Sequence, residues 1–432
     1  MAGEWKSPPL SSLLAEGRGI SYGIVQPGTH QDGGVPIVRV ADIRHGRIAV
    51  DQPMRVAPEI EAAYVRTRLR GGELLLTLVG TVGEAAVVPP EMEGWNVARA
   101  VAVIPIREDV GAYWVKLALS APEARETIYG RLNTTVQATL NLKDVAQLPI
   151  ILPDEDERER ISNIIGTLDD KIELNHRMNE TLEAIARAIF KSWFVDFDPV
   201  RAKASGEPPE SICRRLRLTP DLLALFPDRL VDSELGEIPE GWRVSALGDH
   251  IEIFDSKRIP LSNREREIRR GQYPYYGAAS VMDFVDDYIF DGIYVLMGED
   301  GSVVNEDGSP VIQYVWGKFW VNNHAHVLQA KAPMASEHLL LALKQSNIAP
   351  FVTGAVQAKL SQGNLRRIPL VSASARVVEE FSNLIVPLFD LMRSREEETR
   401  TLANARDALI PKLLSGELRV PEAESTQEEL EV

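Results

Sequence analysis

The residues best suited to chemistry lie in three short strings. His324-x-His326 sets two imidazoles at alternate positions, a spacing with which a strand can chelate a metal. No third ligand lies close by in the chain, so an ordinary strand is the better reading. Glu299-Asp300 offers adjacent carboxylates, yet nothing flanking them completes a nuclease pattern. Phe197-Asp198-Pro199-Val200 has only a superficial likeness to the Asp-Pro-Pro-Tyr/Phe string of amino-methyltransferases, and no Asn-Pro-Pro-Tyr/Phe string occurs. A phosphate-binding Gly-x-x-x-x-Gly-Lys-Ser/Thr loop and a Gly-x-Gly-x-x-Gly cofactor loop are also missing. Cys213 is the single cysteine, which excludes a disulfide or a cysteine-based zinc site within one chain. The expectation is a chain with no catalytic residue, no metal and no cofactor of its own.

Binding is better represented than catalysis. Lys257, Arg258, Arg264 and Arg266 lie near Tyr275 and Tyr276, and basic residues interleaved with aromatics suit a nucleic-acid face. Glu265 and Glu267 alternate with these arginines, so a solvated charged loop is the competing reading. Arg66, Arg68 and Arg70 fall on one side of an extended strand, where solubility would explain them equally well. Thr134, Thr135 and Gln137 hold the place in the first half of the chain that Gln357 and Lys359 hold in the second. A polar loop used twice could grip phosphates or simply build a turn. The glycine loops Gly80–Gly83 and Gly298–Gly301 could admit a nucleic-acid backbone, though hairpins are the commoner use.

These residues are positioned by a repeat. Val136-Gln137-Ala138-Thr139-Leu140 recurs 220 residues later as Val356-Gln357-Ala358-Lys359-Leu360. At the same offset Pro149 matches Pro369, Glu159 matches Glu379, Leu168 matches Leu388 and Thr181-Leu182 matches Thr401-Leu402. Upstream the likeness is looser: Asn96–Val101 resembles Asn323–Leu328. The modules read as mixed and β-rich, with strands such as Val35–Val40, Glu73–Val79 and Asp291–Met297. Each also has one helical segment, Tyr113–Ser120 or Glu337–Ser346. Glu155–Phe194 reads as one long helix, its stripe of Ile161, Ile165, Leu168 and Ile172 having coiled-coil seam spacing. Phe381, Ile385, Leu388 and Met392 form the equivalent stripe. Each helix, about 38 residues, would be roughly 57 Å long. The seams break at Asn175 and Asn179 and at Arg395 and Thr399. In an antiparallel pair these four form a polar layer that fixes register, or they face solvent at an irregularity. Phe190, Trp193, Phe194 and Phe197 are a candidate docking surface, or close the helix onto a module.

The fold class expected is α+β: two globular mixed α/β domains separated by two long antiparallel coiled-coil helices with a pseudo-twofold internal repeat. The divisions are a first module at 1–153, a helical spacer at 154–197, a Pro-rich acidic linker at 198–240 with a short helical patch near Asp221–Leu225, a second module at 241–372, a second spacer at 373–417 and an acidic, disordered tail at 418–432. The net charge of −16 is a poor match for nucleic acid, but its distribution is informative. Residues 1–150 carry 15 basic against 16 acidic residues, and 241–370 carry 13 against 14. The excess therefore lies in the connecting parts, and near-neutral modules can still present a basic face. No apolar run is long enough to span a membrane, and the N-terminus lacks a signal-peptide pattern, so a cytoplasmic location is expected.

Several strings together resemble the specificity subunits of type I restriction-modification systems. They are Phe190-Lys191-Ser192-Trp193-Phe194-Val195-Asp196-Phe197-Asp198-Pro199, Leu225-Phe226-Pro227-Asp228-Arg229 and Ser233-Glu234-Leu235-Gly236-Glu237-Ile238-Pro239-Glu240-Gly241-Trp242. Lys257-Arg258-Ile259-Pro260-Leu261-Ser262, Tyr273-Pro274-Tyr275-Tyr276-Gly277-Ala278 and Leu409-Ile410-Pro411-Lys412-Leu413-Leu414 add to them. The resemblance implies two target recognition domains, each reading one half of a split, asymmetric site on double-stranded DNA. It implies helices that set the gap and dock two methyltransferase subunits, which bind S-adenosylmethionine and methylate adenine. Two nuclease-translocase subunits would join them. The alternatives are a self-contained DNA methyltransferase or restriction enzyme, and a coiled-coil adaptor with no DNA role.

Overall fold

In a computed structural model, residues 5–50, 52–132, 138–354 and 357–420 are described. The chain divides into two compact units. One comprises residues 1–174 and 398–432, the other residues 175–397.

In the first unit the apolar runs Leu74–Thr77 and Val101–Ile104 pair antiparallel at the centre of a four-stranded sheet. Ser21–Tyr22 and Ala85–Val87 lie outside them. Side chains alternate across a strand. Leu74, Leu76, Ala102 and Ile104 therefore pack with Val115, Leu119 and Val145 on one face. Leu75, Val101 and Val103 pack with Val38 and Val97 on the other. Burial of both faces explains why these strands are continuous hydrophobic runs. A second sheet orders Met54–Val56, Val35–Val38 and Asn96–Val97, the last two parallel.

The second unit repeats this topology. Ile251–Ile253, Ala325–Ala330, Tyr294–Gly298 and Ile312–Val315 form the antiparallel sheet. Val281–Val285, Arg270–Tyr276, Lys318–Val321 and the added edge strand Phe290–Asp291 form the other, again with one parallel pair. Each module also carries one helix at the same place, Ala112–Ser120 and Ser336–Lys344.

The long helices run Glu155–Phe194 and Ala375–Ser415. Asp154 caps the first by accepting the Glu157 N–H at 2.9 Å, and three acidic residues of the first turn face the positive end of the helix dipole. Within each unit the two helical stretches are antiparallel. In the first, Lys171 meets Glu398 while Asp169 meets Arg406, and Ile161, Ile165 and Leu168 pack with Leu409 and Leu413. In the second, the Asn179 amide donates to the Met392 carbonyl while Phe194 packs on Phe381. The fold class read from the sequence holds.

Three expectations need correction. Residues 198–240 are a folded element, of which the sequence reading has only the helical patch near Asp221–Leu225. Helices Asp198–Ala204, Pro209–Leu216 and Pro220–Ala224 and the hairpin Leu230–Ser233/Gly236–Pro239 bury Val200, Ile212, Leu223, Phe226 and Ile238. Arg66 lies in a 3-10 stretch, Ala62–Thr67, with Arg68 and Arg70 just beyond it, so no strand aligns the three. At the head of the expected tail, Val420 is buried and Leu418 half-buried against the helix pair. Residues 421–432 lie outside the described residues.

Candidate nucleic-acid interface

The structure sorts the basic residues of the second module into two groups. Arg258 is turned inward: its guanidinium donates to Glu299 at 2.7 Å and to the Ala325 carbonyl at 2.6 Å. Arg266 is buried, donating to the Leu261 carbonyl and Asn263 and lying over the Tyr275 ring. Tyr275 itself is buried, its hydroxyl accepting the Leu261 N–H. These three were expected to touch DNA. Instead they are spent inside the module: Glu299 and the Ala325 carbonyl take up Arg258, and residues 261–263 hold Arg266 and Tyr275. Tyr276 is half-buried with its ring edge against Phe319. Lys257, Arg264, Gln357 and Lys359 are exposed and stay available. Lys257 lies over the Phe254 ring, and Arg270 is exposed as well.

In the first module Arg66, Arg68 and Arg70 are exposed. Arg68 grips the buried Glu61 carboxylate with two nitrogens, and this hydrogen bond, against the opposing effect of burial, holds Glu61 below its ordinary range. Arg66 and Arg70 make no such side-chain pair among the described residues. Thr134, Thr135 and Gln137 lie outside the described residues.

The loops at one end of the second module gather the remaining polar groups. Segments 277–282, 300–302 and 322–324 line a pocket of about 290 Å³. Segment 357–360 is tied to it, since Gly301 N–H donates to the Ala358 carbonyl and Leu360 N–H to the Glu299 carbonyl. Gly298 is required here: a Cβ would come within 2.1 Å of the Ser302 carbonyl oxygen. His324 stands at the rim, with Nδ1 2.5 Å from Asp300.

Behind this pocket Asp255, Glu299 and His326 bring potential metal-ligating atoms within 4.8 Å of one another. The donor set does not suit a cation. Both ring nitrogens of His326 are engaged, Nδ1 with Asp255 at 2.6 Å and Nε2 with the Leu360 carbonyl at 2.8 Å. Asp255 also accepts from Val327 N–H and Gln362, and the Arg258 guanidinium stands between the carboxylates. Burial raises the Asp255 carboxyl, but the His326 hydrogen bond and charge outweigh that and hold it below its usual range. The cluster is a clamp that fastens segment 360–362 to the sheet. The sequence missed it because its members are up to 107 residues apart.

The same backbone bonds recur in the first module. Leu140 N–H donates to the Leu78 carbonyl and Leu78 N–H to the Ala100 carbonyl. These match Leu360 to Glu299 and Glu299 to His324. Ala100 thus occupies the place of His324, a register different from the Arg99/His326 alignment that the sequence suggested.

Of the register residues, Asn175 and Thr399 are buried, and Asn179 donates to the Met392 carbonyl at 3.2 Å. Arg395 is half-buried. Phe190, Trp193, Phe194 and Phe197 are 3–6% exposed. They form an aromatic cluster with Phe226, Trp242, His338 and Phe381, so they are not a docking surface. Closure of the helix onto its module is the role that the structure gives them.

With this geometry in hand, the chain belongs to the family described as type I restriction modification DNA specificity domain, whose model matches residues 26–184 and 239–371. It is 28% identical over 344 residues to a type I restriction enzyme specificity subunit, HindI, of Haemophilus influenzae, covering 67% of this chain and 72% of that one. Another relative, the MjaIX specificity subunit of Methanocaldococcus jannaschii, is 25% identical over 292 residues, covering 64% of this chain and 62% of the relative. Among solved structures, the S subunit of a type I restriction-modification system from M. genitalium aligns over 95% of this chain and 96% of its own, with a TM-score of 0.51 and 14% identity, a likeness of fold. The chain is thus a type I specificity subunit. Among the described residues no helix is long and apolar enough to cross a membrane.

Proposed function

We propose that each module reads one half of a split, asymmetric site on double-stranded DNA, and that the long helices set the number of base pairs between the halves. In this reading the helices also dock two methyltransferase subunits, which bring S-adenosylmethionine and modify adenine, and two nuclease-translocase subunits complete the assembly. The chain itself transfers no group. Most support comes from the paired backbone bonds that end on His324 in one module and Ala100 in the other. One scaffold carrying different side chains at equivalent points suits two unlike half-sites. Exposed Lys257, Arg264, Arg270 and Lys359 supply phosphate contacts on the second module, and Arg66 and Arg70 on the first.

The test is methylation-pattern sequencing of cells carrying this chain with its partner subunits. A two-part motif with a fixed gap is expected, and a continuous palindrome would contradict the reading. The chain purified alone should neither methylate nor cut DNA, which separates it from a self-contained enzyme. Its complex should bind duplex DNA with a steep salt dependence, which an adaptor without a DNA role would lack.

A further inference from the structure

We infer that His324 of the second module is a specificity-determining residue, selecting a base that presents an amino group in the major groove, adenine or cytosine. This rests on the proposed reading that the second module binds duplex DNA. A carboxylate can only accept a hydrogen bond, so Asp300 at 2.5 Å places the proton of the neutral imidazole on Nδ1. Nε2 is then a bare acceptor, and among the described residues it has no partner. The His324 side chain is 46% exposed and Asp300 23%, so the ring edge is open while its anchor is largely covered.

The pair is also held rigidly. His324 N–H donates to the buried Asn322 side chain at 2.8 Å, and the His324 carbonyl accepts from Glu299 N–H at 2.8 Å. Asp300 is bridged through its backbone to Lys359, an exposed cation suited to a phosphate beside the base. An oriented acceptor on a fixed backbone next to a phosphate-binding side chain is what base readout requires. In the major groove adenine N6 and cytosine N4 donate, whereas guanine O6 and thymine O4 accept. A bare Nε2 favours the first pair. Ala100 at the equivalent place can impose no such choice on the other half-site.

The experiment compares motifs methylated in cells by the assembled complex carrying the wild-type chain, His324→Ala, His324→Gln or Asp300→Asn. In the wild type, one position of one half-site is adenine or cytosine. His324→Ala makes that position degenerate and leaves the other half-site unchanged. Asp300→Asn lets an amide donate to Nδ1 and moves the ring proton to Nε2, so selection shifts toward guanine or thymine. With purified complex, replacing an adenine there by purine, which lacks the amino group, weakens wild-type binding on the order of tenfold and leaves His324→Ala unaffected. Should His324→Ala disturb assembly, His324→Gln keeps a side chain of similar reach and its broadened motif reads the same point. An unchanged motif in an assembled His324 variant overturns the inference. That result does not touch the proposed function, which fails instead if the wild type yields no two-part motif.

Discussion

His338 illustrates what burial does to a single titratable side chain. It is 3% exposed, enclosed by the rings of Phe190, Phe194 and Phe381, and burial pushes its imidazole down to about 3. The folded ring stays neutral at pH values where the unfolded chain, near its ordinary 6.5, takes up a proton. A depressed histidine therefore contributes fully above pH 6.5 and loses that contribution as the pH falls toward 3. The slope is about 1.4 kcal/mol per pH unit, so roughly 2 kcal/mol should disappear between pH 6.5 and 5. His338→Phe suits the aromatic cluster and removes the proton, so its urea midpoint should fall less than the wild type's over that range. Equal falls would show that another group carries the acid sensitivity. Nothing in the chain marks this histidine in advance, since Glu337-His338-Leu339 looks like any helix surface. Residue identity likewise could not tell Lys257 and Arg264 from Arg258 and Arg266. What separates them is an acceptor reached only in three dimensions: Glu299 is 41 residues from Arg258, and Asp283 is 17 from Arg266.

At the level of elements, Asp169 ties the first module to the helix pair. Its carboxylate accepts from Tyr113 at 2.8 Å, Lys116 at 3.0 Å and Arg406 at 3.0 Å, joining the module helix to both long helices within one unit. Burial opposes the charge, yet Lys116 and Arg406 prevail and hold the carboxyl below its usual range. A lowered carboxylate stabilises the fold above its unfolded value near 3.8 and loses that contribution as pH falls through the folded value. Asp169→Ala strands the largely covered Lys116 and leaves Arg406 to Asp407 alone, and should cost about 3 kcal/mol at pH 7, read from the unfolding free energy in urea. The deficit should shrink on acidification as the wild-type carboxylate is protonated. A loss independent of pH would mean that packing, not charge, is what Asp169 supplies. The long helices were legible because one seam repeats over some 40 residues in two copies. Strand cores such as Leu74–Thr77 were legible as apolar runs. The folded element at 198–240 was legible only in its helical patch near Asp221–Leu225, because its three short helices each begin at or next to a proline that reads as a break.

For the whole molecule, the duplication makes a geometric prediction. The chain leaves one compact unit at Leu174 and returns at Glu398, both inside long helices. Seven residues added at each point preserve the seam, because a heptad is close to two helical turns. Each insertion lengthens its helix by roughly 10 Å at 1.5 Å per residue. A base pair rises about 3.4 Å, so if the helices act as the ruler proposed here the gap in the methylated motif grows by about three base pairs. The bases at both half-sites stay the same, since no recognition loop is altered. Affinity should fall, because three base pairs rotate the far half-site by roughly a third of a turn and the duplex or helices must twist to follow. Lengthening one helix alone should instead displace Asn179 from Met392 and destabilise the pair. Methylation sequencing of the double insertion is decisive: an unchanged gap, or altered bases at an unchanged gap, would remove the helices from the measurement of distance.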